Sequence, residues 1–243
     1  MSGHSKWHNI QARKGKQDKT RSNLFTKAAR AVTVAAQMGG GDENMNFVLR
    51  LAIEKAKAVN MPKDNIERAI KRGTGELKDA AVIEELIYEA FGPGGIAIVI
   101  EAMTDNKTRT VSEVKHTLSK HGGNFAGPGS VQWQFEHKAV IRIAADKKVA
   151  ISDFDSFELE LIDAGADDIQ NSPEGVEIIS PVPAFQKVLV VVARYKVEPD
   201  DSGLEWLPKE RMTVDEETMD KVDILYNLLD EMDDVKAVFT NLV

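Results

Sequence analysis

The sequence predicts an α+β fold, with a helical N-terminal bundle ahead of two ferredoxin-like α/β domains. Three observations carry this. Up to about residue 73 the apolar residues recur only at helical spacing. After residue 80, short apolar runs of strand type alternate with amphipathic helices. Those runs often come in adjacent pairs, which favours antiparallel or mixed sheets with helices on one face over a doubly wound parallel sheet. The elements after residue 80 outnumber one four-stranded sheet, and two sheets built from split βαβ units absorb them.

In chain order, residues 3–21 lack helical periodicity, with Trp7 and Ile10 their only large apolar residues. This segment reads as an arm. From Ser22, the residues Leu24, Phe25, Ala28, Val32 and Ala35 fall at helical spacing, and Gly39-Gly40-Gly41 stops the helix. A second helix is predicted over about Met45–Val59, with Leu49, Ala52, Ile53 and Ala56 as its apolar stripe. Pro62 suits the first turn of a third helix, where its missing N–H is no loss. There Ile66, Ala69 and Ile70 face inward, and Gly73-Thr74-Gly75 ends it as a linker.

Two strands, Ile83–Ala90 and Ile96–Met103, are joined by the turn Phe91-Gly92-Pro93-Gly94-Gly95. Thr110 and Glu113 have capping-box spacing ahead of a helix that ends at Gly122-Gly123. Val131, Trp133 and Phe135 alternate with polar residues as in a half-buried strand, and Ala139–Ile143 reads as another. Ser152 is the expected cap of a helix carrying Phe154, Phe157 and Leu161. A strand at Val176–Ile179 and a helix opened by Pro183 follow. Thr213 and Glu216 form a second capping-box pattern, the stripe Met219, Val222, Leu225, Leu229, Met232 marks the last helix, and Val235–Phe239 closes the chain as a strand.

At 243 residues the chain has room for one to two average domains, or three small ones. Hydrophobic residues at 42% are too many for disorder throughout. The absence of cysteine rules out disulfides, thiolate metal sites and a cysteine nucleophile, and points to a reducing, cytoplasmic setting. No apolar run approaches the ~18 residues needed to span a membrane. The net charge of −8 hides an asymmetry. Residues 1–80 hold 16 Lys/Arg against 8 Asp/Glu, a net of +8, and the remainder holds 15 against 31, a net of −16. A basic end approaches a polyanion while an acidic body is repelled from it.

The sequence holds no recognisable catalytic constellation. His4 and His8 have metal-ligand spacing but no third ligand and a cationic setting, so no metal and no cofactor is expected. Gly92-Pro93-Gly94-Gly95 lacks the Lys-Ser/Thr of a phosphate loop and precedes a strand. No G-x-S-x-G elbow is present, and pairs such as Asp167-Asp168 discriminate nothing in an acidic surface. The stronger signal is the basic arm: Lys6, Arg13, Lys14, Lys16, Lys19, Arg21, Lys27 and Arg30 are expected to contact phosphates. Arg50, Lys57, Arg68 and Lys71 extend that face on the next two helices. Trp7 either stacks on a base or anchors the arm.

At this point a resemblance is visible. Gly3-His4-Ser5-Lys6-Trp7, Arg13-Lys14, Phe25-Thr26-Lys27 and Asn60-Met61-Pro62-Lys63-Asp64-Asn65-Ile66 closely resemble the YebC family. So do Gly92-Pro93-Gly94-Gly95, Thr104-Asp105-Asn106, Gly122-Gly123-Asn124 and Ala164-Gly165-Ala166-Asp167-Asp168, so the likeness spans the whole chain. The resemblance implies a cytoplasmic, non-enzymatic protein of three domains, the last inserted into the middle one. The boundaries are then 1–75 for arm plus bundle, 80–135 with 208–243 for the middle domain, and 136–207 for the insert. It implies a DNA-binding transcriptional regulator. The alternative is a ribosome-associated translational activator binding ribosomal RNA, with its acidic domains toward a protein partner. Phosphate contacts carry no sequence information, so arm composition leaves both open.

Overall fold

Three helices open the described part of the chain, which in this computed structural model comprises residues 20–77 and 81–242; side chains are described from residue 23 onward. By their internal contacts these residues fall into two units. One runs to Gln132 and resumes at Met212–Leu242, and the other spans Trp133–Arg211.

In the first unit, helices α1 (Thr20–Gly39), α2 (Phe47–Ala58) and α3 (Lys63–Gly73) form the bundle. Its buried core is rich in small residues, among them Ala35, Ala36, Ala52, Ala56 and Ala69 around Val32, Leu49, Ile53 and Ile66. Small residues let helices approach closely. At Gly73 the approach is closest, because a Cβ there would lie 2.2 Å from the Thr33 carbonyl oxygen. The Thr33 hydroxyl also donates to the Ala69 carbonyl at 3.1 Å. Asn46 caps α2 by accepting from the Leu49 N–H, and its amide donates to the Ala35 carbonyl at 2.7 Å. One side chain thus fixes the end of α1 and the start of α2. Past α3, Gly75 adopts φ 77° and the Glu76 N–H returns to the Lys71 carbonyl at 3.0 Å, a Schellman ending.

The bundle shares its unit with a four-stranded antiparallel sheet of strands β1 (Glu84–Phe91), β2 (Ala97–Thr104), β3 (Asn124–Ala126) and β8 (Val235–Thr240), in the order β3-β1-β2-β8. The β1–β2 hairpin is central, with Glu84 opposite Thr104 and Phe91 opposite Ala97. Helices α4 (Lys107–Lys120) and α7 (Glu216–Asp230) supply Val114, Leu118, Val222, Leu225 and Leu229 to a core shared with Ile98, Ile100 and Val238. This sheet departs from the ferredoxin-like expectation. β2, α4 and β3 make one split βαβ around β1, but a hairpin precedes both helices.

The second unit follows the ferredoxin-like order. Strand β4 (Phe135–Ala144), helix α5 (Phe154–Asp163), strands β5 (Asp168–Ser172) and β6 (Gly175–Pro181), helix α6 (Phe185–Arg194) and strand β7 (Asp201–Pro208) make βαββαβ, and the sheet order is β5-β6-β4-β7. Ile141, Ile143, Ile178, Phe157, Leu161, Val188 and Val192 are buried, and Tyr195 meets the Phe157 ring edge-on at 4.8 Å. Arg142, on the opposite side of β4 from Ile141, is 2% exposed and pairs with Glu177, Glu205 and Asp201. Burial opposes its charge, but those three carboxylates outweigh the burial and hold it protonated.

Several local expectations are corrected. The caps of α4, α5 and α7 are Asn106, Asp153 and Asp215, which accept from Arg109, Ser156 and Thr218 N–H groups. Thr110, expected as a cap, is buried inside α4, where its hydroxyl serves another acceptor. The apolar alternation at 131–135 belongs to a 3-10 turn, Gln132–Gln134, with Trp133 exposed. The two strands expected around it are the single strand β4.

Candidate nucleic-acid interface

The cations of the bundle separate by what faces them. On α2, Arg50 lies over the Phe47 ring, 5.4 Å from its centroid, and Lys57 is exposed. Lys57 and Lys63 line a groove of about 690 Å³ together with the apolar Ile53, Met61, Ile66 and Ile70 and the acidic Asp42, Glu43 and Glu67, the last 3.7 Å from Lys63. On α3, Arg68 and Lys71 are exposed on the side away from the buried Ile66 and Ala69. Arg72 instead turns to the Ala81 carbonyl at 3.3 Å and to Asp105 at 3.9 Å. Lys6, Trp7, Arg13, Lys14, Lys16 and Lys19 lie outside the described residues, and of Arg21 only its place in the first turn of α1 is described.

Lys27 and Arg30 have a different setting. With Asn23 they occupy positions four and three apart, one face of α1. That face meets the C-terminal end of α7 and the turn after it, Asp230-Glu231-Met232-Asp233-Asp234. The Asn23 amide donates to the Glu231 carbonyl at 2.8 Å, Lys27 to the Asp230 carbonyl, and Arg30 to the Asp233 carbonyl. The last carbonyls of a helix have no partner within it, and a helix C-terminus attracts cations. Asn23 and Lys27 of α1 therefore cap α7 from outside, and Arg30 holds the turn beyond it. Lys27 Nζ is also 3.6 Å from the Asp230 carboxylate.

Asp234 is the centre of the arrangement. Its carboxylate is 4% exposed, and Arg30 reaches it at 2.6 Å. The Thr110 hydroxyl donates to it at 2.6 Å, the Thr104 hydroxyl at 3.1 Å, and Arg109 Nη2 at 2.8 Å. Burial alone would raise its pKa. Hydrogen bonds from Thr110 and Arg109, the charge of Arg30 and the Thr104 hydroxyl overcome that and lower it. Sequence reading missed this acceptor. Its only trace was an acidic run placed at the end of a predicted helix, where like charge meets the negative end of the dipole.

A second buried carboxylate organises the loop beside β1. Glu89 accepts from the backbone N–H groups of Gly129, Val131 and Gln132 at 2.5, 2.6 and 2.9 Å. Burial pushes its pKa up, but the N–H groups of residues 129–132 outweigh that and leave it lowered. Among the described residues no group of three His, Asp or Glu side chains is placed to hold a metal ion, and no helix is long and apolar enough to cross a membrane.

Residues 5–76 match the TACO1/YebC protein N-terminal domain, and residues 83–242 match the TACO1/YebC second and third domain. The chain belongs to the TACO1/YebC family. A relative from Kosmotoga olearia is 46% identical, covering 99% of this chain and 94% of its own length; one from Pseudothermotoga lettingae is 45% identical, with 99% and 93% covered. Each is named a probable transcriptional regulatory protein. Among solved structures, a conserved hypothetical protein from Aquifex aeolicus superposes with a TM-score of 0.83 at 39% identity, covering 94% of this chain and 93% of that one. The TACO1/YebC match therefore extends across the arm, the bundle and both sheets.

Proposed function

We propose that this TACO1/YebC protein is a non-enzymatic regulator of gene expression in the cytoplasm that binds DNA through its basic N-terminal part. The observation that carries the reading is the charge division. A net of +8 is confined to residues 1–80, and the body beyond carries −16. Lys and Arg side chains neutralise phosphates and release counterions, which gives affinity for any sequence. Lys6, Arg13, Lys14, Lys16, Lys19 and Arg21 are the principal contacts, and Trp7 adds a flat face for a base. Arg50, Lys57, Arg68 and Lys71 extend the cationic surface onto the bundle. The acidic body keeps the nucleic acid at the basic end. The names of the relatives, probable transcriptional regulatory proteins, support a regulatory role.

The test is to recover the protein from cells with its nucleic acids crosslinked. Enrichment of promoter DNA supports the reading. Enrichment of ribosomal RNA over promoter DNA replaces it with a role at the ribosome.

A further inference from the structure

Two of the cations assigned to phosphate contact, Lys27 and Arg30, already face an anionic partner inside the molecule. From the arrangement around Asp234 we propose that the acidic turn 230–234 acts as a displaceable substitute for a phosphate chain, and that nucleic acid takes Lys27 and Arg30 from it. This rests on the nucleic-acid-binding reading and adds to it a second contact surface and the element that guards it.

The way the pair is satisfied favours release of α1 over release of Asp234. Asp234 keeps the Thr104 and Thr110 hydroxyls and Arg109 when Arg30 leaves, so no buried charge is stranded. Arg109 comes from α4, not from α1, and is also held by Asp105 at 3.1 Å. On the α1 side, Lys27 and Arg30 exchange one set of anionic oxygens for another. The carbonyls of Asp230, Glu231 and Asp233 that α1 caps pass to water. Apolar anchoring across the same junction is small: Val34 of α1 meets Ile83 and Met103 in a cluster of three buried residues. A contact held by one small apolar cluster and by the ion pairs Lys27–Asp230 and Arg30–Asp234 is separable by a competing polyanion.

Lys27 and Arg30 follow Arg13, Lys14, Lys16, Lys19 and Arg21 in the sequence. A phosphate chain that reaches Lys27 and Arg30 meets the carboxylates of Asp230, Asp233 and Asp234 as like charge. The turn therefore shortens the contact tract in the free protein, and its displacement lengthens it.

The experiment compares the full chain with Asp230→Asn/Asp233→Asn, which leaves Asp234 in place. The control, Glu216→Gln/Asp220→Asn, removes the same charge from the other end of α7. Binding of a labelled duplex DNA is measured against salt. The turn variant is predicted to bind several-fold tighter than the control, with the same arm contacts retained. In the unaltered protein, duplex binding is predicted to speed hydrogen exchange at the Val235 amide, which donates to the Met232 carbonyl within the turn. Equal affinity of turn variant and control, with unchanged exchange at Val235, overturns the latch and leaves the functional reading standing. No duplex binding by any of the three proteins overturns the functional reading and the latch with it.

Discussion

Arg30 of α1 and Asp234, just before β8, meet at 2.6 Å from opposite ends of the chain. The pair ties the helical bundle to the sheet at a carboxylate that is itself held by α4. It also explains why a cation that reads as a phosphate contact in sequence is occupied in the structure.

The two partners are unequal, and that inequality is measurable. Asp234→Ala removes at one stroke an acceptor shared by Arg30, Arg109, Thr104 and Thr110, and should cost about 2–4 kcal/mol even though Arg30 keeps the Asp233 carbonyl and Arg109 keeps Asp105. Arg30→Ala leaves Asp234 with three donors and should cost only about 1–2 kcal/mol. Urea unfolding of both variants checks the order. Equal costs would mean that Arg30 carries the site.

Acid should weaken the first unit through two carboxylates. Glu89 and Asp234 are both lowered in the folded state. A lowered folded pKa contributes stability that is fully present above the ordinary carboxylate value of ~4 and is lost as pH falls through the folded value. Unfolding free energy should be flat from about pH 6 to 8 and fall below about pH 5. Glu89→Gln should flatten that fall and lower the neutral-pH stability by about 1–3 kcal/mol, because backbone donors at 129–132 lose a charged acceptor.

Gly73→Ala tests the packing of α1 on α3. A methyl group would sit 2.2 Å from the Thr33 carbonyl oxygen and 2.8 Å from Ala36 Cβ, both held in the interior of α1. The helices must part, and a loss of about 1–3 kcal/mol is expected. Gly40→Ala meets no neighbour within 4 Å, but its φ of 83° makes it a strain control without a packing clash. Thermal unfolding of the two separates crowding from backbone strain.

How far the sequence was legible follows from where each element lies. Helices with a buried stripe, such as Val222, Leu225 and Leu229 in α7, were visible because 3.6-residue spacing survives any context. The unrecognised strands β3, β5 and β7 are all sheet edges. Asp168-Ile169-Gln170-Asn171-Ser172 shows why: an edge strand needs little apolar surface and carries polar residues that discourage further pairing. The capping predictions failed for a related reason. Ser and Thr at plausible spacing were outcompeted by Asn106, Asp153 and Asp215, nearer the true helix starts. At the candidate interface the charge division was plain in the sequence. The partnership of Lys27 and Arg30 with residues 230–234 was not, because it depends on a return of the chain that no local pattern encodes.

The central claim, that the cationic N-terminal part grips a phosphate backbone, is tested most directly by the salt dependence of duplex DNA binding. With about six cations engaged, log affinity should fall against log salt with a slope near −5, and Arg13→Ala/Lys14→Ala/Lys16→Ala/Lys19→Ala should reduce the slope by about 3–4 while leaving the unfolding midpoint unchanged. A slope near zero, or a fourfold variant that binds as tightly as the unaltered chain, would contradict it.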